Sequence, residues 1–461
     1  MASGVATQTD TVKDMLTDAA PVADIIKGGK NMRTKGEAYL PKFPIETQED
    51  YNARLQSTWL FNGVKKARSD IAGRVFEKPV VLQDQSGKLF EWCQNIDMEG
   101  RDLSNFAKDV FEASLVPGIS FIMADAPPRE GEMTEGDVKA AGWRPYLVSL
   151  TLDQVLGWRW ELVGNRPVIT QFRIMEKAPD PDRDQYSDDT VEQVRELTLE
   201  EGVVVVRLYQ GADRGTGSWA QVGEDYRTDF DRIYVAPVYT GRTGFFKAEP
   251  PLDEIAELNL AHWRVQSDKS SCLHKSLSPL LFMKQMDGIG DDGAPEVKSA
   301  DYGFMAQADG ADMKWVEISG SGIDQGTSEL EEIKDQMKQM GLQLISERIG
   351  VSTATGDSID EGKTVTRIRM WADDLKDAIE IALGWMTEIG GITANTDVVV
   401  SKDFGVLGNL PMSDVRDMYA AGVISRETYI SEAQRRGVLD ESVSADDDAE
   451  AMDREGLDEE T

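Results

Sequence analysis

The sequence predicts an α+β protein, and three observations carry that expectation. Helical periodicity gathers between 47 and 115 and again beyond Pro250. The intervening stretch, 146–240, reads as a succession of short strands. Helices and strands are therefore segregated along the chain and do not alternate, which is the α+β pattern. Between the halves lies Pro250–Leu281, which reads as one long helix. Pro250 and Pro251 open it, where a missing N–H costs nothing, and Pro279 closes it. Asp253 and Glu254 in the first turn and His274 and Lys275 near the last match the helix dipole. Ile255, Leu258, Val265 and Cys272 mark one apolar face, Leu252, Ala256, Leu260 and Trp263 another. A helix apolar on two sides is expected to pack against more than its own chain.

In chain order, 1–44 reads as a loosely held N-terminal arm, with two short helical patterns around Gly28-Gly29 and a proline-rich extended stretch at Tyr39–Ile45. Thr47, with Asp50 in the capping-box position, starts a helix expected to run to about Val75, with Tyr51, Leu55 and Trp59 opening its stripe. A strand at Pro79–Leu82, a helix over Leu103–Leu115 and a strand at Ile119–Ala124 follow. Strands are then expected at Tyr146–Leu150, Gly157–Leu162, Val168–Glu176, Val191–Thr198, Val203–Gln210, Ser218–Val222 and Arg232–Tyr239. Gly164-Asn165 is a hairpin turn and the charged run Ala178–Asp189 a solvated loop.

Beyond the long helix, Leu280–Met286 and Phe304–Ile318 read as strands around a Gly/Asp-rich loop. Ser328 and Glu331 form a capping box for a second helix, whose seam is Leu330, Ile333, Met337, Met340 and Leu344. An ordinary amphipathic core helix satisfies the same spacing. The polar stretch Ile349–Gly362 leads into a third helix from Lys363 to about Ile389. Its face is Val365, Ile368, Trp371, Leu375, Ile379, Leu383 and Met386. A short strand at Val398–Ser401, helices at Ser413–Ala421 and Arg426–Arg436, and an acidic tail from Asp440, expected to be disordered or a frayed helix, complete the chain.

Composition narrows function. The net charge is −34, of which Asp440–Thr461, with eleven acids and one arginine, carries −10. Such a chain lacks the basic footprint of a protein that grips nucleic-acid phosphates, although it can surround DNA without gripping it. No apolar run is long enough to span a membrane, and the first residues lack a secretion signal. Cys93 and Cys272 are read as buried thiols, and His262 and His274 point about a third of a turn apart, against a shared metal site. Gly356–Thr364, GDSIDEGKT, has five residues between its first Gly and GKT where a phosphate loop has four, and Asp357, Asp360 and Glu361 would oppose a triphosphate. No catalytic residue, metal or cofactor is assigned. The rival class is an enzyme processing nucleotides or DNA through that loop.

Four stretches, 39–79 (YLPKFPIETQEDYNARLQSTWLFNGVKKARSDIAGRVFEKP), 250–268 (PPLDEIAELNLAHWRVQSD), 330–345 (LEEIKDQMKQMGLQLI) and 420–439 (AAGVISRETYISEAQRRGVL), occur in an order that resembles bacteriophage portal proteins, the head-to-tail connectors of tailed phages and prophages. The resemblance implies a mixed wing at 45–249, a stem helix at 250–282, a small β clip at 283–325 and a second stem helix at 326–349. A tunnel loop at 350–362, the remaining wing with its long helix at 363–411, and crown-like helices at 412–439 follow, before the tail at 440–461. It implies a ring, expected to be a dodecamer, at one capsid vertex of a virion assembled in the host cytoplasm. Double-stranded DNA would pass through it in packaging and ejection. Its partners would be the terminase large subunit, head–tail adaptors, and the major capsid and scaffold proteins. Ser352, Thr353, Thr355, Asp357, Ser358, Asp360 and Lys363 would belong to the tunnel loop and line the DNA channel. Lys334, Lys338 and Arg367 would add basic channel contacts, or else be surface cations paired with neighbouring acids. Leu258, Trp263 and Val265, with the seam of the second helix, would form the subunit interface.

Overall fold

A computed structural model describes residues 4–128, 142–180, 183–211, 219–277, 280–284, 312–316, 321–345, 354–400, 412–422, 424–435 and 438–439. The fold is α+β. It divides into two units, 1–401 and 402–461.

The N-terminal segment is an integral part of the first unit, not a loose arm. Helix α1 (Asp10–Lys27) buries Val12, Met15, Ala19, Val22 and Ile25, and α2 (Gly29–Lys35) buries Met32. Their partners are far along the chain, so a local reading of this modestly apolar stretch could not see what it packs against. The single helix expected over 47–75 is two, α3 (Gln48–Ser57) and α4 (Gly63–Val75). Thr47 caps the first, accepting from the Asp50 N–H, and Asn62 caps the second, accepting from the Lys65 N–H. Asn62 and the following glycine are the break signal. Between α4 and the next strand pair, β1 (Val81–Leu82) and α5 (Gly87–Cys93) precede α6 (Leu103–Ser114), which Asp102 caps. Helix α5 was not expected from the sequence.

The central strand of the first sheet is β2 (Ile119–Asp125), antiparallel to β3 (Tyr146–Leu150) on one side. From Ile119 to Ala124 every residue of β2 is buried. An antiparallel meander of five strands follows: β4 (Val155–Val163), β5 (Arg166–Pro179), β6 (Thr190–Glu200), β7 (Val203–Gly211) and β8 (Trp219–Arg227). The chain then returns through β9 (Val235–Tyr239) to complete the three-stranded sheet β3-β2-β9. Gly164-Asn165 does make the β4–β5 turn, with φ of 55° and 64°, the double left-handed geometry of a two-residue hairpin. Glu201-Gly202 makes the β6–β7 turn in the same way, at 53° and 80°. The two sheets share one core, in which Phe121 of β2 meets Phe172 and Phe246 at centroid distances of 5.8 and 5.3 Å in tilted and edge arrangements.

A small hairpin, β10 (Arg242–Gly244) with β11 (Lys247–Ala248), leads to the long helix α7 (Asp253–Ser276). Strands β12 (Leu280–Lys284) and β13 (Asp312–Val316) pair antiparallel between α7 and α8 (Ser321–Ile345). Helix α9 (Ala354–Gly390) then packs on β9 and β2. Ile368, Trp371, Leu375, Ile379, Leu383 and Met386 are the buried positions that the sequence marks as its face. β14 (Val398–Val399) pairs with β1. In the second unit, α10 (Met412–Ala420) and α11 (Arg426–Arg435) pack together, with Tyr419 and Tyr429 stacked at 4.9 Å.

Gly118 turns α6 into β2 at φ +86°, with its carbonyl accepting from the N–H groups of Thr240 and Gly241. A Cβ there would lie 2.1 Å from the Glu249 carbonyl oxygen. Gly118→Ala is therefore expected to cost about 2 kcal/mol or more, because a left-handed backbone and a clash with main chain add together. Urea unfolding of the purified variant checks this.

Candidate functional site

The two helices that the sequence singles out, α7 and α8, lie side by side and antiparallel. Gly326, near the start of α8, sits against Lys269 late in α7, whereas Met337 further along α8 approaches Gly63 together with Asn259 early in α7. Helix α8 begins at Ser321, so Ser328 is an interior residue and not the cap expected from the S-x-x-E pattern. Its hydroxyl donates to the Asp324 carbonyl four residues back, the alternative use of a serine within a helix.

The residues expected at a subunit interface fall into two groups. Trp263, Leu330, Ile333 and Met337 are buried inside the single chain and are spent on its own packing. Leu258 and Val265, one heptad apart on α7, are half-buried, as is Met340. Leu258 and Val265 thus mark a partly covered apolar stripe along α7. The side chain of Leu344 lies outside the described residues.

The expected channel cations also separate. Lys334 places its Nζ 5.3 Å from the Phe61 ring centre and 5.9 Å from that of Trp59, an intrachain cation–π arrangement. Lys338 pairs with Asp335 at 2.9 Å, the surface alternative considered for it. Arg367 is exposed on α9. Of the expected tunnel-loop residues, Ser352 and Thr353 lie outside the described residues. Thr355, Asp357, Ser358, Asp360 and Lys363 stand on the first turns of α9, whose backbone is already helical from Ala354. The loop expected to continue to Gly362 therefore ends at least nine residues earlier. GDSIDEGKT lies wholly within that helix and does not form a loop leading into a helix N-terminus.

Three side chains carry the local architecture; Asn259 and Arg54 were not singled out in the sequence, and His262 was weighed there only as a metal ligand. Asn259 of α7 is fully buried and accepts from the N–H of Gly63 at 2.8 Å and of Val64 at 3.3 Å, while donating to the Phe61 carbonyl at 2.8 Å. Arg54 is buried against Glu46 with two contacts of 2.7 and 2.8 Å, and donates to the Pro41 carbonyl at 2.9 Å and to Ser267 at 3.3 Å. Its guanidinium covers the Phe43 ring at 4.3 Å. The charge-assisted bonds from Arg54 hold the Glu46 carboxyl below its ordinary pKa. This clamp fixes the proline-rich 39–46 stretch to α7, with Arg264 donating to the Tyr39 carbonyl at 3.0 Å. The third is His262, fully buried between Phe61 and Trp59 at centroid distances of 5.3 and 6.2 Å, with neither ring nitrogen hydrogen-bonded among the described residues. Sequence signals for these were faint: one Glu and one Arg eight apart after a proline-rich stretch, and single polar residues on an otherwise apolar helix face.

Comparison with known proteins adds the following. A family model described as a domain of unknown function (DUF4055) matches residues 251–389, from the turn before α7 to the last turn of α9. Among solved structures, a chain of the neck of an empty GTA particle, computed with C6 symmetry, is similar at a TM-score of 0.40 and 11% identity, over 86% of this chain and 96% of that one. No curated protein matches the sequence.

Burial, reinforced by the nearby Lys334 charge, pushes the His262 pKa down to about 4. In the unfolded chain the same imidazole titrates near 6.5, so below that pH the unfolded state binds the extra proton. The stability associated with a neutral His262 is therefore intact above about pH 6.5 and falls as pH drops toward 4. The loss reaches about 3 kcal/mol at the lower end, at roughly 1.4 kcal/mol per pKa unit. Denaturation at several pH values should show this slope in the natural chain and lose it in His262→Phe.

Proposed function

We propose that the chain is a connector subunit of a tailed-phage-like particle, a portal-type protein that assembles as a ring at one capsid vertex. The observation that carries this reading is the succession α7, β12–β13 hairpin, α8 and then α9. Two antiparallel helices bracket a small β element, and a third long helix returns onto the three-stranded sheet. The order of the four sequence stretches that resemble portal proteins supports the same reading. In that role α7 and α8 form the stem, the 283–325 region the clip, and the sheets with α9 the wing.

Function then follows from closure. A ring of identical subunits buries two different, mutually complementary patches on each member, and the half-covered stripe at Leu258 and Val265 is suited to one of them. The chain's high negative charge disfavours tight binding of phosphates and would let a duplex slide through the opening. We assign it no catalytic chemistry. The energy for packaging would come from a terminase docked at the clip end, and adaptors of the tail would use that end later. Twelve subunits, the packaging and ejection of double-stranded DNA, and the capsid and scaffold contacts belong to the same proposal.

Native mass measurement with negative-stain imaging tests it. A closed ring near twelve times 51.0 kDa is the expected result. Leu258→Glu with Val265→Glu should give subunits that no longer close but melt within a few degrees of the natural chain, since neither residue is fully buried. A chain that stays monomeric even when coexpressed with the capsid proteins of its particle would contradict the proposal.

A further inference from the structure

One face of the five-stranded meander carries a polar groove that the connector role does not use. It encloses about 360 Å³ and is walled on one side by the backbone of Gly4 and Val5. The strand register fixes its floor. Arg159 of β4 is opposite Gln171 of β5, and Arg173 of β5 is opposite Glu196 of β6. Gln171 and Arg173 are two apart, so all four side chains rise from the same face of the sheet. Close approach of the wall depends on Gly157, where a Cβ would lie 2.4 Å from the Thr9 methyl carbon.

The charges on this floor do not cancel. Glu196 is already engaged, accepting from Gln171 at 2.6 Å and from the Tyr209 hydroxyl at 3.2 Å. Arg173 spends its Nη1 on the carbonyls of Gly4 and Val5, at 3.1 and 2.6 Å. Burial, with the like charge of Arg159 working against Glu196, lowers its pKa. Arg159 is exposed and makes no ion pair or side-chain hydrogen bond among the described residues. Neighbouring Arg207, by contrast, is paired with both Glu200 and Asp225 at 2.7 Å. In a chain with 83 acids against 49 lysines and arginines, two adjacent arginines without a carboxylate of their own are out of keeping with their surroundings.

We propose that this groove is a docking site for a carboxylate side chain of an acidic peptide segment, gripped by Arg159 and Arg173. Two guanidinium groups against one carboxylate leave a local charge of +1, which a single further carboxylate neutralises. A phosphate dianion would overcompensate and would meet Glu196 as a like charge. The planar guanidinium fork matches a carboxylate in two parallel hydrogen bonds, which an ammonium cannot do. The Tyr209 ring, on the same face as Glu196, gives the aliphatic part of an acidic residue an apolar wall. The site is independent of ring closure and of the connector reading, since every residue in it comes from one chain.

Titration calorimetry on the full chain tests the proposal, with a blocked peptide of five residues containing three acids, its amide counterpart, and inorganic phosphate. The acidic peptide should bind and the amide peptide should not. Arg159→Gln should weaken binding at least tenfold without changing the melting temperature, whereas Arg166→Gln, at the exposed β4–β5 turn, should leave it unchanged. Equal losses from both variants would mean diffuse attraction and overturn the site. Tighter binding of phosphate than of the peptide, or no binding of the peptide, would overturn it too.

Discussion

The start of α4 is held to α7 by the side chain of Asn259. It is buried in the middle of the first turns of α7, and its amide satisfies three main-chain groups of the 61–64 segment at once. Those groups are the start of α4, where the first N–H groups have no partner within the helix. Without Asn259 a buried helix start would carry unsatisfied donors, which costs of the order of 1–3 kcal/mol for each group. Replacing it with an apolar residue of similar size would not help, because its partners are backbone and cannot be removed. A second polar clamp, Arg54 on Glu46, Pro41 and Ser267, ties the preceding segment to the same helix about two turns further on. α7 is thus both a strut for α8 and the frame on which 39–64 is laid.

That arrangement explains which features were legible in the sequence. The strands of the meander and the buried face of α9 follow from period-2 and period-3.6 patterns, because each is set by local burial against a large surface. Caps at Thr47 and Asp102 behave as their residue types suggest, but Ser328 does not, since the same serine can bond back within a helix that started about two turns earlier. The break at 58–62, the docking of α1, the roles of Asn259 and His262 and the tie of Arg54 to Ser267 depend on partners some 40 to 240 residues away, and no window of sequence contains both members. The expected stem interface was partly misread for a related reason. A heptad-like seam such as Leu330, Ile333 and Met337 looks the same whether its partner is the next subunit or the helix beside it, and here α7 fills it.

What is left unfilled is therefore informative. With Leu330, Ile333 and Met337 of α8 consumed within the chain, a lateral contact of the helix pair would draw on half-buried residues such as Leu258, Val265 and Met340 and on the polar residues around them. Such a contact would be moderate in apolar area and would rely on multiplicity and closure more than on a single strong interface. The buried His262 stands next to this seam, between the 58–62 link and α8, so acidification would weaken the frame at the place where the helix pair is supported.

Hydrogen–deuterium exchange on the natural chain and on Asn259→Ala tests the coupling of α7 to the N-terminal segments most directly. If α7 frames that region through Asn259, the variant should lose protection together in the first turns of α4, in 39–62 and in the middle of α7, while β5–β7 keep theirs. Undiminished protection of Gly63, Val64 and the turn after them would contradict it, as would an even loss across the whole molecule.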